Sequence, residues 1–198
     1  AALRGAACAG LDASARLLAI ARDRKVLGAL AAAGVAFHTV KDHVVLEGRE
    51  LLTKTGTPYT VFTPYKNAWL KKVDDSYLKS YPVEKYALAL AALPVDESNN
   101  VPSLADLGFE KTNFSEIGIP VGSHGGNLLF EEFLGRMAQY RQARDFPAVK
   151  GPSYLSVHLR FGTISVRKIA AAALTLQYSG NEGAATWLSE LIWRDFYA

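Results

Sequence analysis

The sequence predicts an α/β unit followed by an all-helical unit that is cut short. Near the start, a helical pattern is followed at once by a β-branched and aromatic run, which is the rhythm of an α/β sheet. Beyond residue 122, apolar residues recur at helical spacing almost to the end. Residues 73–120 lie between these patterns, with scattered prolines and 3 Lys/Arg against 8 Asp/Glu. We therefore expect domain segments at 1–58, 59–120 and 121–198.

Composition narrows the class of protein. Hydrophobic residues make up 49% of the 198 residues, enough for a substantial core. No run of about 18 apolar residues exists, which argues against a membrane helix. The single cysteine, Cys8, excludes an internal disulfide and indicates a cytoplasmic protein. No Cys/His cluster has zinc spacing, so no metal site is expected. Because the only methionine is Met137, we expect a fragment of a longer chain.

The first third of the chain holds the expected α/β elements. Residues 15–33 have helical spacing, and Gly34 is a natural residue just past a helix end. Residues 35–40 and 44–46 are predicted strands. A turn near Gly56 precedes Pro64, which is expected to open a helix running to Lys72. His38 and His43 have no partners at metal-ligand spacing, so they are interpreted as ordinary core or surface residues.

The helical part is expected to contain four helices after a helical turn at 104–109. The first covers 127–144 and ends before Pro147. A short helix follows Pro152, and another runs from an N-cap at Ser165 to residue 178. The last begins near Glu182.

The stretch 186–197 places an unusual set of side chains on one face. At about 100° per residue, one third of the helix surface carries Trp187, Glu190, Trp193, Arg194 and Tyr197. Apolar residues fill most of the remainder, so the helix is expected to be largely buried. Two indoles, a carboxylate and a guanidinium suit a flat ligand with polar edges. The alternative is structural: Glu190 and Arg194 form an i,i+4 ion pair and the tryptophans fill the core.

Two further segments carry candidate chemistry. Tyr140 and Arg144 share a helix face, where Arg144 either binds a phosphate or complements the helix C-terminus. Residues 151–156 lead into a helix with two hydroxyls and free backbone N–H groups, an arrangement that binds phosphate or pyrophosphate. The alternative for this segment is an ordinary N-cap at Ser153.

Four collinear blocks, at 61–69, 140–147, 153–165 and 187–197, resemble the DNA photolyase/cryptochrome family. The resemblance covers roughly residues 20–198 and is closest to the bacterial class I cyclobutane pyrimidine dimer photolyases. It implies a Rossmann-like α/β antenna domain, here represented by its C-terminal part, then a connector and a helical domain that binds flavin adenine dinucleotide (FAD). The implied protein is a deoxyribodipyrimidine photolyase, a lyase acting on damaged DNA as a cytoplasmic monomer with no membrane association.

The resemblance also implies roles for residues, position by position. Glu190 and Trp193 would face the flipped-out dimer and serve catalysis. The FAD contacts would be Tyr140, Pro152, Ser153, Tyr154, Leu155, Ser156 and Trp187. The DNA contacts would be Arg144, Glu190, Leu191, Ile192, Trp193, Arg194, Asp195, Phe196 and Tyr197. An antenna pigment, folate or deazaflavin, belongs to the family, but residues 10–21 lack the usual contacts and none is assigned.

The mechanism implied by the resemblance is light-driven. Reduced flavin absorbs a photon, directly or through the antenna pigment, and passes one electron to the dimer, whose cyclobutane ring splits before the electron returns. The alternatives are a cryptochrome, which senses light without repair, and a helical fragment that binds no cofactor. The Glu190 and Trp193 pair favours repair. Without the rest of the flavin domain, the fragment is expected to bind FAD weakly and to be inactive alone.

Overall fold

The computed structural model describes residues 15–38, 41, 43–79, 81, 83–89 and 102–198. The α-helices in these ranges are α1 (Ala15–Ala32), α2 (Phe62–Lys72), α3 (Asp75–Leu78), α4 (Gly122–Leu134), α5 (Tyr140–Ala143), α6 (Ser156–Phe161), α7 (Val166–Tyr178) and α8 (Glu182–Phe196). Short 3-10 helices cover Val83–Ala89, Asn113–Ile117 and Met137–Gln139. The chain divides into two compact units, residues 1–40 and 41–198. The predicted boundaries at 58 and 120 remain a prediction.

The first unit contains α1, which confirms the predicted helix to within one residue of its end. Gly34 follows the helix with a φ of 71°, a backbone conformation that glycine adopts without steric cost. Residues 35–38 are not a strand, contrary to prediction. Residues 39 and 40, the rest of that predicted strand, lie outside the described residues.

Residues 44–46 do not form the second predicted strand either. These residues are buried, but Val45 and Leu46 donate their backbone N–H groups to the carboxylate of Asp195. A strand needs a neighbouring backbone as hydrogen-bond partner, and here a side chain takes that place. The described residues contain only an isolated bridge between Leu52 and Pro58, so the Rossmann-like part of the fold prediction is not found within them.

Helix α2 begins at Phe62, two residues before the predicted start at Pro64. A proline is tolerated in the first turn because the N–H groups there have no partner within the helix. Tyr65 and Trp69 are buried, and the helix packs against α8. The part of the predicted connector that forms α2 therefore contributes to the core of the second unit.

The segment 127–144, which was predicted as one helix, is divided among three shorter helices. Helix α4 begins earlier, at Gly122, and gives way at Gly135, a residue with low helix propensity. A 3-10 turn follows, and α5 begins at Tyr140. An added Cβ on Gly183 would lie 2.0 Å from the carbonyl oxygen of Met137. The interruption is thus the place where the start of α8 packs directly on the backbone.

Helices α7 and α8 follow the prediction closely. Ser165 accepts a hydrogen bond from the N–H of Lys168 and caps α7, as predicted. Asn181 caps α8 by accepting from Ala184 at 2.9 Å. The two helices pack along their length. The largest fully buried residues of the unit are Trp69, Phe133, Leu46, Met137, Leu155, Ile169, Leu188, Ile192, His158 and Val45.

The described ranges hold neither a membrane-spanning helix nor a cluster of metal-ligating side chains. No helix there has the length and apolar character needed to cross a membrane. In the same ranges, no group of three or more His, Cys, Asp or Glu side chains could hold a metal ion.

Candidate DNA interface and cofactor segment

Helix α8 brings together most of the predicted site residues, and its two sides have different environments. Trp187, Leu191, Ile192 and Asp195 lie in the interior. The side chains of the opposite side are half-buried or exposed: Glu190, Trp193, Arg194, Phe196 and Tyr197. The candidate interface is therefore this outer side, together with the neighbouring end of α5.

Arg144 and Glu190 form the ion pair of this interface. The Nη1 atom of Arg144 lies 2.5 Å from Oε1 of Glu190, and each side chain is about one third exposed, at 35% and 37%. The hydrogen bond that Arg144 donates to Glu190 raises the pKa of Arg144 above its usual value. The guanidinium also lies 5.8 Å from the ring centroid of Tyr140, which confirms that these two side chains are adjacent. The pair joins two predicted site residues from different helices.

The alternative ion pair of the sequence analysis, between Glu190 and Arg194, does not form. Arg194 donates instead to the backbone carbonyls of His43 and Leu159, and its Nη2 atom lies 3.0 Å from the Leu159 oxygen. Burial lowers its pKa. A guanidinium turned inward to two carbonyls is a packing element, so the predicted phosphate contact by Arg194 is not supported by its placement.

Trp193 lies in a cluster of aromatic rings. The ring of Phe62, on α2, stacks on it with a centroid distance of 3.6 Å and an interplanar angle of 7°. Tyr197 lies nearly parallel to it at 5.3 Å and 16°, and Phe196 meets it edge-on at 5.6 Å. Trp193 is therefore held in place by aromatic rings of the chain itself.

Three residues of the predicted DNA-facing stretch are in the interior. Leu191 is 5% exposed, Ile192 is 0% exposed, and Asp195 is 5% exposed. The carboxylate of Asp195 accepts hydrogen bonds from the N–H groups of Val45 and Leu46 and from the indole of Trp69. A helix presents only part of its circumference to one partner, so a continuous run of eight DNA contacts is not what this packing provides.

The predicted phosphate-binding segment is a tight loop next to α5. An added Cβ on Gly151 would lie 2.6 Å from the carbonyl oxygen of Ala143, so only glycine allows this approach. Tyr154 has a φ of 58°, an uncommon conformation for a residue with a Cβ. Ser153 Oγ accepts from the Leu155 N–H at 3.4 Å. Helix α6 then begins at Ser156, with Leu155 as N-cap and no cap from a described side chain.

The alternative interpretation of this segment, an N-cap at Ser153, is thus not found, because the Ser153 hydroxyl accepts within the loop and Leu155 is the N-cap residue. Leu155 is fully buried and anchors the loop in the core. The first N–H groups of α6 retain hydrogen-bonding capacity toward an acceptor.

Arg136 fixes the other side of this loop. It donates to the carbonyl oxygens of Lys150 at 2.8 Å and Pro152 at 2.7 Å. Its guanidinium lies 5.1 Å from the ring of Phe133 and 5.9 Å from that of Tyr154. The remaining nitrogen, Nη1, is buried without a hydrogen-bond partner among the described residues. The segment therefore has a positive charge directly beside it.

The two aromatic residues predicted to contact flavin occupy different environments. Trp187 is 3% exposed and packs on Phe133 at 4.8 Å and on Phe130 at 6.1 Å. Tyr140 is half-buried and meets Phe133 edge-on at 5.8 Å. In this arrangement Trp187 is a core residue, as the structural alternative of the sequence analysis had it, whereas Tyr140 borders the interface.

Several functional-site neighbours were not singled out from the sequence. Phe62 and Trp69 lie in the block 61–69, which carried the family resemblance but received no role. Arg136 sits in the interruption between α4 and α5, where the sequence predicted continuous helix. The recurrence of aromatic residues in block 61–69 was the available signal for the first two.

Comparisons with known proteins agree with this architecture. Residues 9–85 match the family model described as DNA photolyase. The deoxyribodipyrimidine photo-lyase of Escherichia coli K12 is 34% identical over 183 residues, which cover 89% of this chain and 36% of that protein. The protein of the same name from Halobacterium salinarum is 33% identical over 189 residues, covering 91% and 38%.

A solved structure is also similar. The crystal structure of a bacterial class III photolyase from Agrobacterium tumefaciens matches with a TM-score of 0.64 and 26% sequence identity, over 89% of this chain and 36% of that one. The chain thus spans a little over one third of the length of these relatives. Sequence relatives, family model and structural neighbour agree in indicating that this chain is similar to members of the DNA photolyase family.

Proposed function

We propose that this chain is part of a light-dependent deoxyribodipyrimidine photo-lyase and supplies one wall of its damaged-DNA site. The observation that carries the proposal is the contact between Arg144 and Glu190 at 2.5 Å. It brings a phosphate-binding type of side chain and a base-recognising carboxylate to one surface, with Trp193 one helical turn further along α8. The names of the relatives indicate which lesion such a surface serves.

Each residue of the surface has a distinct task in this proposal. A pyrimidine dimer must leave the base stack to be repaired, as in other enzymes that act on extruded bases. Trp193 supplies the apolar stacking surface, and base–aromatic stacking contributes about 1–3 kcal/mol. Glu190 accepts hydrogen bonds from base N–H groups, and Arg144 binds a phosphate without regard to sequence. Tyr197 lies at the edge of the surface.

Binding requires an exchange of partners at the ion pair. In the free protein Arg144 neutralises Glu190, so neither group is left with an uncompensated charge. When DNA binds, a phosphate replaces Glu190 as the partner of the Arg144 guanidinium, and base N–H groups replace Arg144 as the partners of the Glu190 carboxylate. Because the pair is partly exposed, its loss costs only about 0.2–1 kcal/mol, which charge-assisted contacts to DNA readily offset.

The flavin phosphates fit the loop that precedes α6. Arg136 has a buried Nη1 atom without a partner among the described residues, and the first N–H groups of α6 lie at the end of the same loop. A guanidinium and helix N–H groups are the donors that a pyrophosphate requires. Pro152, Ser153, Tyr154, Leu155 and Ser156 would hold it, with Tyr140 beside them. Bound in its reduced form, the flavin supplies the electron that opens the dimer under illumination.

A binding experiment tests the proposal on the chain itself. Fluorescence anisotropy with a single-stranded oligonucleotide carrying one thymine dimer, against the same undamaged strand, should give tighter binding to the damaged strand. Trp193→Ala should remove this preference and leave undamaged-strand binding nearly unchanged. Equal affinity of the unmodified protein for both strands, or equal loss on both after the substitution, would contradict the proposal.

Two further measurements address cofactor and reaction. In the full-length protein, the absorption spectrum after incubation with FAD and desalting should retain flavin bands, and Arg136→Gln should weaken them. Light-dependent reversal of the dimer by the same full-length protein, assayed with reduced flavin, separates repair from the light-receptor alternative, which predicts flavin bands without reversal. The antenna pigment, the monomeric state and the cytoplasmic location remain predictions of the sequence.

A further inference from the structure

The two rings stacked on Trp193 differ in how firmly they are held. Phe62 is on α2, whose residues Tyr65 and Trp69 are buried in the core, and the Trp69 indole donates to Asp195 at 2.9 Å. Tyr197 is 78% exposed and follows the last residue of α8. The Phe62 ring is partly buried and packs against the core, whereas the Tyr197 ring belongs to an exposed residue.

The geometry also assigns the two rings to different faces of the indole. The Phe62 ring is centred 3.6 Å from the Trp193 ring and is almost parallel to it. A ring at that distance occupies the face completely, since 3.5–4.0 Å is the contact distance between carbon atoms. The near-parallel ring of Tyr197, 5.3 Å away, is left with the other face, in the offset arrangement that aromatic pairs prefer.

We propose that Tyr197 is a placeholder for the lesion: its ring covers the one face of Trp193 on which an extruded pyrimidine can stack, while Phe62 holds the opposite face closed. This rests on the proposed function, because it takes Trp193 as the stacking surface for the dimer. It adds which face is used, which residue positions the indole, and which side chain must move before the dimer is bound. The sequence had grouped Tyr197 with the DNA contacts and had given Phe62 no role.

The proposal predicts opposite effects for two substitutions. Tyr197→Ala removes a competitor for the indole face, so affinity for the dimer-containing strand should rise by about two- to tenfold, the equivalent of one aromatic pair. Phe62→Leu keeps the apolar volume but removes the flat ring behind the indole, so affinity for the same strand should fall by a similar factor. Binding of the undamaged strand should change little in both variants.

Tryptophan fluorescence gives a readout of the same geometry without DNA. Trp69 and Trp187 are 1% and 3% exposed, so quenching by acrylamide reports mainly on the half-buried Trp193. Tyr197→Ala should increase quenching because it uncovers one indole face. Addition of the dimer-containing strand should then restore protection.

Matched controls separate these effects from general changes of the surface. Tyr178→Ala removes a tyrosine that is 77% exposed and ends α7, and Phe109→Leu alters a phenylalanine that is 62% exposed. Neither should alter quenching or the preference for the dimer. Melting curves followed by circular dichroism identify a variant that binds poorly because it has unfolded.

The outcomes distinguish this inference from the proposed function. If the unmodified protein prefers the dimer-containing strand but Tyr197→Ala leaves its affinity unchanged or reduces it, the placeholder role is wrong and the proposed function stands. The placeholder role is equally wrong if quenching in Tyr197→Ala is unchanged. If the unmodified protein shows no preference for the dimer, both proposals fail.

Discussion

The indole nitrogen of Trp69 donates to Oδ2 of Asp195 across 2.9 Å, joining α2 to α8 over 126 positions of sequence. The same carboxylate accepts from the backbone N–H groups of Val45 and Leu46 at 3.2 and 3.0 Å. One buried side chain therefore connects three segments of the second unit. It also fixes the end of α8 that carries Trp193 and Tyr197.

Asp195→Asn should destabilise the protein strongly. Asparagine keeps one acceptor oxygen and places an NH₂ group against donors, so buried N–H groups lose their partner at about 1–3 kcal/mol each. We expect the free energy of unfolding in urea to fall by about 2–4 kcal/mol. Asp145→Asn, with a side chain that is 76% exposed, is the control and should be nearly neutral. A small effect at Asp195 would show that the three bonds contribute little.

The free energy of unfolding should depend on pH through the carboxyl group of Asp195. Burial raises the pKa of Asp195, and the hydrogen bonds from Trp69, Leu46 and Val45 only partly oppose it. The folded protein therefore takes up this proton at a higher pH than the unfolded chain does. The contribution of Asp195 to the free energy of unfolding therefore increases as the pH falls through the raised pKa toward the ordinary pKa of an aspartate. The same contribution is lost as the pH rises through the raised pKa.

Urea unfolding measured at a series of pH values tests this. The free-energy difference between the unmodified protein and Asp195→Asn should widen on acidification, because only the unmodified protein has the group. A difference that stays constant from neutral pH to about pH 4 would mean that the pKa is not raised.

The ion pair between Arg144 and Glu190 predicts asymmetric effects on DNA binding. Arg144→Gln should weaken binding to damaged and undamaged strands alike, and should reduce the dependence of log affinity on log salt by about one phosphate contact. Glu190→Gln should reduce the preference for the dimer. It should also tighten binding to undamaged DNA, by up to about fivefold, because the guanidinium is released from its partner.

Arg141 provides the control for this series. Arg141 lies on α5, the short helix that ends just before Arg144, and its Nη1 atom pairs with Glu182 at the start of α8. Arg141→Gln should leave the preference for the dimer unchanged. If Glu190→Gln weakens binding to undamaged DNA, Glu190 and the DNA phosphate do not compete for the guanidinium of Arg144.

Gly183 should be among the least replaceable residues of α8. A Cβ there would lie 2.0 Å from the Met137 carbonyl oxygen and 2.5 Å from that of Ala138, so alanine must push two helical segments apart. We expect Gly183→Ala to lower the melting temperature by several degrees, in line with overpacking costs of about 1–3 kcal/mol. Gly28→Ala in α1, where no described atom lies within 4 Å of the added Cβ, should be neutral or slightly stabilising. Equal melting temperatures would contradict this packing.

The sequence by itself determined the helices that carry their own start and stop signals. Helix α7 begins after the Ser165 cap, α8 begins at the predicted Glu182, and α1 ends before Gly34, because caps and periodicity act over a few neighbouring residues. The four collinear blocks likewise indicated a resemblance to the DNA photolyase/cryptochrome family. These features depend on local chemistry, which a sequence displays directly.

Only the tertiary structure decided the partners of the charged and aromatic side chains. Spacing within α8 allowed Glu190 to pair with Arg194, but Glu190 pairs with Arg144, which is 46 positions away, and Arg194 turns inward to backbone carbonyls. Segment 44–46 had the composition of a strand, yet the N–H groups of Val45 and Leu46 donate to Asp195. Periodicity gives the direction of a side chain from its own helix but not what another segment brings to it. For that reason, the ring that closes one face of Trp193 became apparent only when α2 was packed against α8.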